Sequence, residues 1–329
     1  MEKGYTASIT GVGSFLPGKV LTNDDFTKML DTTDEWITKR TGIKERRVVE
    51  NGATASDLAI EASLRALDDA NVLPSEVDLI IAATITPDCL VPSTACFIQE
   101  KIGAKNAGAF DLLAACSGFV YALSIAKSFI VSGAMKTVLI VGTECLSKIT
   151  DYTDRSTCIL FGDGAGAAVV QRDNGKKKIV TTYLGSDGSQ ADLLKLPAGG
   201  SKLPVSQATI ESRSHYIQLK GKELFKTAIN NMVDMITKVA TENNMQVEDF
   251  DMIIPHQSNI RIIEAAMERL KQPKKKAYVN IDRYGNTSAA SIPIAIDEID
   301  KEGLLSPGDS VLLVAFGGGL TWGTSLIKW

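Results

Sequence analysis

The chain has 329 residues, 44% of them apolar, and a formal net charge of −4. That length supports a large core and about two domains, and the mild acidity gives no electrostatic reason to expect nucleic acid. The start Met1-Glu2-Lys3-Gly4-Tyr5 lacks the charged-then-apolar layout of a signal peptide. No apolar run is expected to reach the roughly 18 residues that span a bilayer, so the expectation is a soluble, cytoplasmic protein with no membrane partner.

In chain order, Ser56 reads as the N-cap of a helix running to about Ala70. A short buried strand is predicted over 78–84, a helix from about Ser93, a strand near 109–113, a helix after Cys116 and a strand over 137–142. Such alternation implies a sheet sandwiched between helices. The second half repeats the plan. Asn71-Val-Leu-Pro-Ser-Glu-Val-Asp78-Leu-Ile-Ile81 aligns with Asn244-Met-Gln-Val-Glu-Asp-Phe-Asp251-Met-Ile-Ile254, a shift of 173 residues. The same shift carries Val138-Leu-Ile-Val-Gly142 onto Val311-Leu-Leu-Val-Ala315. Two copies of this length suggest a duplicated domain rather than a solenoid. The halves are placed at 1–173 and 174–329, joined through the polar stretch 173–178, with equivalent strand-end loops meeting at the centre.

The cysteines are Cys89, Cys96, Cys116, Cys145 and Cys158, an odd number without the two-residue spacing of zinc or redox motifs. Five small buried residues would be the plain expectation. Cys116 stands apart: a strand precedes it, and Phe119, Leu123, Ala126 and Ile130 recur at helical spacing after it. A thiol at a helix start should have a lowered pKa and favour thiolate, although a structural cysteine at a tight turn accounts equally for the local pattern.

His256 follows the apolar strand ending at Ile254, in Pro255-His256-Gln257-Ser258-Asn259, where a strand end suits a site in an α/β sheet. A hydrogen-bonded core histidine is the competing explanation. The other histidine, His215, lies in a polar run and reads as a surface residue. Asn286, in Tyr284-Gly285-Asn286-Thr287-Ser288, precedes an apolar-periodic helix, and the 173-residue shift places Cys116 on Ala289 within the same turn. Taken alone, Gly-Asn-Thr is ordinary turn chemistry. Gly317-Gly318-Gly319 lies between two strands and either lets backbone N–H groups approach a ligand or makes a simple hairpin. The Gly-rich stretch 161–166 lacks the strand-before, helix-after setting of a dinucleotide fingerprint, which excludes a nicotinamide site there.

Together these segments resemble the β-ketoacyl-acyl-carrier-protein synthase III family of thiolase-like condensing enzymes. The resemblance rests on Asp34-Glu-Trp36-Ile with Arg40-Thr-Gly-Ile, Ala115-Cys116-Ser-Gly-Phe, Asp154-Arg155 leading to Phe161-Gly-Asp-Gly-Ala-Gly, and Pro197-Ala-Gly-Gly200. It continues through His256-Gln-x-Asn259, Gly285-Asn-Thr-Ser288 and Phe316-Gly-Gly-Gly319, in that order over nearly the whole chain. It implies an α/β thiolase-like fold of two duplicated halves with mixed sheets packed in helix–sheet layers. It also implies an acyltransferase that initiates fatty acid synthesis by condensing an acyl-CoA primer with malonyl-acyl-carrier protein.

By the same resemblance Cys116, His256 and Asn286 are the catalytic set, and the N–H groups of Cys116 and Gly318 form the oxyanion hole. Trp36 and Arg155 sandwich the CoA adenine, Arg40 contacts phosphate, and Asn259 orients the site. Apart from the resemblance, Lys39, Arg40, Lys44, Arg46 and Arg47 read as a solvated basic face. Lys226 and Arg261 align with positions that receive the acidic carrier protein, and ordinary exposed helix charges are the competing explanation. Val91 stands where a partner subunit's phenylalanine closes the acyl pocket, so tolerance of branched or longer primers is expected. Ser156 and Lys222 depart from the glycine and asparagine frequent in the family. No metal or nicotinamide cofactor is expected, and a homodimer is the family expectation. Alternatives are a sister acyltransferase or condensing enzyme of secondary metabolism, a Cys-His-Asn peptidase, and an inactive CoA-binding scaffold.

Overall fold

The computed structural model describes residues 5–50, 52–172 and 175–329. Its frame is a nine-stranded sheet made of β1 (Ala7–Phe15), β2 (Leu79–Ala83), β3 (Gly108–Leu112), β4 (Thr137–Cys145), β5 (Asp163–Arg172), β6 (Lys178–Ser186), β7 (Met252–Pro255), β8 (Ser310–Gly317) and β9 (Thr321–Lys328). The order is β7-β8-β9-β6-β1-β5-β4-β2-β3. β2 runs parallel to β3 and β4, β7 runs parallel to β8, and the other pairings are antiparallel. At the middle β1 meets β6 through Ser8 and Lys178. The succession β2-β4-β5-β1 on one side of that seam mirrors β7-β8-β9-β6 on the other.

Strand alternation sorts the core into layers. Val138 and Ile140 of β4, with Leu313 and Ala315 of β8, face two helices between the halves of the sheet. One carries Phe119 and Leu123, the other Ile292 and Ile296. Leu139 and Val141 face an outer layer containing Leu58, Ala62 and Ile98, and Leu312 and Val314 face another containing Ile236, Val239 and Ile263. The inner helices are Gly118–Ser132 and Ser291–Lys301. The outer ones are Ala55–Ala70 and Thr94–Ile102 on one side, Gly221–Glu242 and Ile260–Arg269 on the other.

The 173-residue shift also relates local geometry. The tight turns Ala115–Ser117 and Ser288–Ala290 correspond, as do the first residues of the inner helices, Gly118 and Ser291. Ala115 and Ser288 are both left-handed, with φ 46° and 48°, and so are Asn71 and Asn244, with φ 53° and 55°. The boundary expected at 173/174 lies outside the described residues.

Three expectations need correction. Thr54, not Ser56, caps the helix Ala55–Ala70: its hydroxyl accepts from the Asp57 N–H while Asp57 bonds back, and the Ser56 hydroxyl instead donates to Asp88 at 2.7 Å. Cys89 and Cys96 are exposed, so the cysteines are not uniformly buried. Finally, 115–132 is long and apolar enough to cross a bilayer by length and composition. That stretch is the Cys116 turn followed by the inner helix Gly118–Ser132, with Phe119, Val120, Leu123, Ala126 and Ile130 in the core cluster; apolarity on most of the helix faces follows from being packed between two sheet halves.

Candidate active site

Cys116 sits in the turn that joins β3 to the inner helix, 8% exposed. The hairpin between β8 and β9 holds that turn from the other half of the chain. The Ser117 hydroxyl donates to the Thr321 carbonyl at 3.1 Å, and the Thr321 hydroxyl donates to the Ala114 carbonyl at 3.0 Å. A Cβ added at Gly317 would lie 2.6 Å from the Cys116 nitrogen, so only glycine lets this strand end lie flush against the turn. Gly318 follows, half-buried. The expectation of a lowered thiol pKa is overturned: burial pushes Cys116 up to about 12. Desolvation of the thiolate outweighs the helix end, because the turn is packed under the other half instead of opening to water.

This close approach supplies a prediction. Gly317→Ala should push the hairpin off the turn and slow reaction of Cys116 with a thioester by about 10²-fold, the cost of roughly an ångström of misplacement. Intact-mass kinetics would measure it, and wild-type rates in the variant would contradict the packing account.

His256 follows β7, its backbone N–H bonded to the Val314 carbonyl at 2.8 Å. The side chain is 2% exposed. Its Nδ1 lies 2.7 Å from the Ser291 Oγ at the start of the second inner helix, and the ring meets Phe316 edge-on at 5.8 Å. Burial lowers its pKa to about 3, so the imidazole is neutral near pH 7.

Asn286 belongs to a segment bridged to Phe161. Its N–H donates to the Leu160 carbonyl at 2.8 Å, and its carbonyl accepts from the Gly162 N–H at 3.0 Å. The Gly-rich stretch after Phe161 therefore anchors the Asn286 loop and leads into β5. The Asn286 Oδ1 accepts from the Ser288 backbone N–H at 2.8 Å. A backbone N–H can only donate, so the amide orientation is settled and the NH₂ group is the end left for a ligand.

Arg46 supports this segment from beneath, and the expected solvated basic face is wrong for it. It has no exposed surface, stacks on Phe26, and donates to the Ile159 carbonyl at 2.6 Å and to the Asn23 Oδ1 at 3.0 Å. Burial lowers its pKa to about 10. A run of basic residues in sequence gives no sign of which one turns inward.

The structure brings Trp36, Arg40 and Arg155 together at one surface. The Arg40 and Arg155 guanidinium groups lie 4.5 and 4.8 Å from the Trp36 ring centroid. Asn259 caps the helix Ile260–Arg269 by accepting from the Arg261 N–H, and its amide donates to the Arg40 carbonyl at 3.0 Å. It therefore joins this cluster to the strand end that carries His256. Lys226 and Arg261 are exposed on the adjacent helices, with Arg261 over the Phe225 ring at 5.4 Å. Val91 is 85% exposed between β2 and the helix Thr94–Ile102, beside Leu90 at 82%; within one chain the structure does not bring it to Cys116. His215 is half-buried, its ring tilted by 42° against that of Tyr216.

The mirrored strand order about the β1/β6 seam and the paired inner helices with their corresponding turns define a thiolase-like α/β protein. Residues 110–188 match the family described as 3-oxoacyl-[acyl-carrier-protein] synthase III, and residues 240–329 match its C-terminal counterpart. The chain is 54% identical, over all of its length and 99% of the relative's, to a β-ketoacyl-[acyl-carrier-protein] synthase III of Caldanaerobacter subterraneus subsp. tengcongensis. The crystal structure of 3-oxoacyl-[acyl-carrier-protein] synthase III from Aquifex aeolicus VF5 superposes with a TM-score of 0.90 at 49% identity, covering 98% of this chain and 100% of that one. A priming β-ketosynthase from the R1128 polyketide pathway superposes at 0.91 with 34% identity, covering 99% and 97%. The chain belongs to the β-ketoacyl-acyl-carrier-protein synthase III family.

Proposed function

We propose that this enzyme initiates fatty acid synthesis by a ping-pong condensation through an acyl-Cys116 intermediate. Two observations carry the reading: His256 is buried and neutral, and the Asn286 amide oxygen is already engaged, which leaves its NH₂ group to donate. Cys116 sulfur adds to the carbonyl carbon of an acyl-CoA, and the N–H groups of Cys116 and Gly318 hold the resulting oxyanion. The C–S bond to CoA breaks, leaving the acyl group on Cys116. Malonyl-acyl-carrier protein then loses CO₂ from its malonyl carboxylate. With Ser291 donating to Nδ1, His256 presents Nε2–H, and this donor with the Asn286 NH₂ receives the enolate oxygen. Neither is acidic enough to quench the carbanion, which attacks the acyl carbonyl and returns Cys116 as thiolate.

In this reading Trp36, Arg40 and Arg155 receive the nucleotide end of CoA, Asn259 fixes that cluster against the site, and Lys226 with Arg261 faces the acidic carrier protein. The chain comprises two duplicated halves divided at 173/174. It acts in the cytoplasm as a homodimer and needs no metal or nicotinamide cofactor; the apolar exposure of Leu90 and Val91 fits a partner subunit covering that loop. The purified enzyme should convert an acyl-CoA and malonyl-acyl-carrier protein into equal amounts of CoA, CO₂ and β-ketoacyl-carrier product. Thioester hydrolysis without CO₂ release would overturn this.

The small Val91 side chain supports a roomy acyl pocket, so isobutyryl- or hexanoyl-CoA should be turned over faster than acetyl-CoA. Equal or faster turnover of acetyl-CoA in a competition assay would reject that preference. The polyketide priming synthase at 34% identity favours one second reading, a condensing enzyme of secondary metabolism on the same scaffold; the identity of the preferred primer and carrier protein separates the two.

A further inference from the structure

Glu144 lies on β4 with no exposed surface. Strand alternation directs it to the same side as Gly142, where a Cβ would run into the Ala289 carbonyl. The carboxyl therefore faces the turn Ser288–Ala290 that follows Asn286. The segment after β2 wraps it from the other direction: Thr86 Oγ1 donates at 2.8 Å, Thr84 Oγ1 at 3.3 Å and the Ile85 N–H at 3.2 Å. These partners are neutral, and burial raises the carboxyl pKa to about 7.

Ser288 begins the turn that packs against both β4 and the turn carrying Cys116. Its backbone is left-handed, with φ 48°, which is strained for a residue other than glycine. Its hydroxyl is buried with no hydrogen-bond partner among the described residues, in a turn packed against both the Cys116 turn and β4. A buried hydroxyl without a settled partner is costly and calls for a role. The titratable groups that feel Glu144 are Cys116 across the turn and Cys145, which points to the opposite face of β4. Acylation requires loss of the Cys116 proton, and His256, held near 3, is a weak base for it.

We propose that Glu144 takes the Cys116 thiol proton through the Ser288 hydroxyl and holds it during acylation. The inference rests on Cys116 being the acyl-carrying nucleophile. The S–H bond breaks as Ser288 Oγ accepts the proton, and the hydroxyl's own proton passes to the Glu144 carboxylate. Cys116 sulfur then adds to the thioester carbonyl. When the C–S bond to CoA breaks, the departing sulfur takes a proton back along the same route and Glu144 returns to carboxylate. Glu144 never touches the substrate; it acts only through Ser288.

The test is single-turnover acylation of the full-length enzyme by isobutyryl-CoA, followed by intact mass across a pH series. Wild type should accelerate about tenfold per pH unit below about 7 and then level off, because the carboxyl must be ionised to accept the proton. Glu144→Gln should be about 10²-fold slower at neutral pH. It should also lose the plateau, its rate climbing toward the thiol's own ionisation near 12. Ser288→Gly suits the left-handed backbone, removes the hydroxyl and should show the same altered profile, so it decides the matter if Glu144→Gln does not fold. Glu144→Asp should restore the plateau in part. Wild-type rates and plateau in Glu144→Gln or Ser288→Gly would overturn the relay while leaving Cys116 as nucleophile. A wild-type enzyme whose Cys116 accepts no acyl group would overturn the underlying reading, and the relay with it.

Discussion

Cys116→Ala is expected to abolish the covalent acyl adduct formed with any acyl-CoA, and overall condensation with it. The expectation follows from the site's construction: a single sulfur lies at the turn between β3 and the inner helix, pressed by Gly317 and pinned through Thr321. The other buried cysteines do not replace it. Cys145 faces the outer helix layer and Cys158 packs with Phe26 and Ile37 near Trp36. The exposed Cys89 and Cys96 can react with small alkylating agents, so the control is peptide mapping of the adduct. The fold should survive, because removing one sulfur from a small buried side chain costs only about 1–2 kcal/mol. An acyl adduct of undiminished yield in the alanine variant would contradict the assignment.

His256→Ala and Asn286→Ala are expected to lose malonyl decarboxylation by about 10²–10³-fold each, the scale seen when one oxyanion donor is removed. Self-acylation of Cys116 should suffer less, since the proposed oxyanion hole uses backbone N–H groups. Decarboxylation can be followed as CO₂ released per pre-formed acyl-enzyme. A variant that loses acylation while retaining decarboxylation would show that the enolate-stabilising role is wrong. The pH dependence adds a second check. The imidazole pKa is lowered to about 3, so His256 stays neutral above that value and the decarboxylation step should be flat from about pH 5 to 8. The sign for stability is opposite to that of a salt-bridged histidine. An unfolded chain binds a proton at this residue below about 6.5 while the folded chain does not. Stability linked to His256 is therefore intact above that pH and falls as pH drops toward 3.

Much of this site could be read along the chain because its parts are local. A buried strand followed by a helical repeat, with a reactive residue between them, marks Cys116; a strand end marks His256. The 173-residue shift places Asn286 and Cys116 in corresponding turns, and the structure gives the two turns matching left-handed residues, Ala115 and Ser288. The ordered motifs added the chemistry that spacing alone left open.

What the sequence by itself determined is the alternation of elements and the internal repeat, with candidate site residues placed at strand ends and turns, because periodicity and turn chemistry act over a few neighbouring positions. The tertiary structure decided how those residues are charged and held. A helix start predicts a thiolate, but burial beneath the opposite half raises the Cys116 pKa to about 12, and the same burial keeps His256 neutral. Desolvation depends on everything packed around a group, and most of that comes from distant parts of the chain. Arg46 and Glu144 show the same limit. Arg46 reads as part of a solvated basic face in sequence, and both it and Glu144 are buried by segments far from them in sequence.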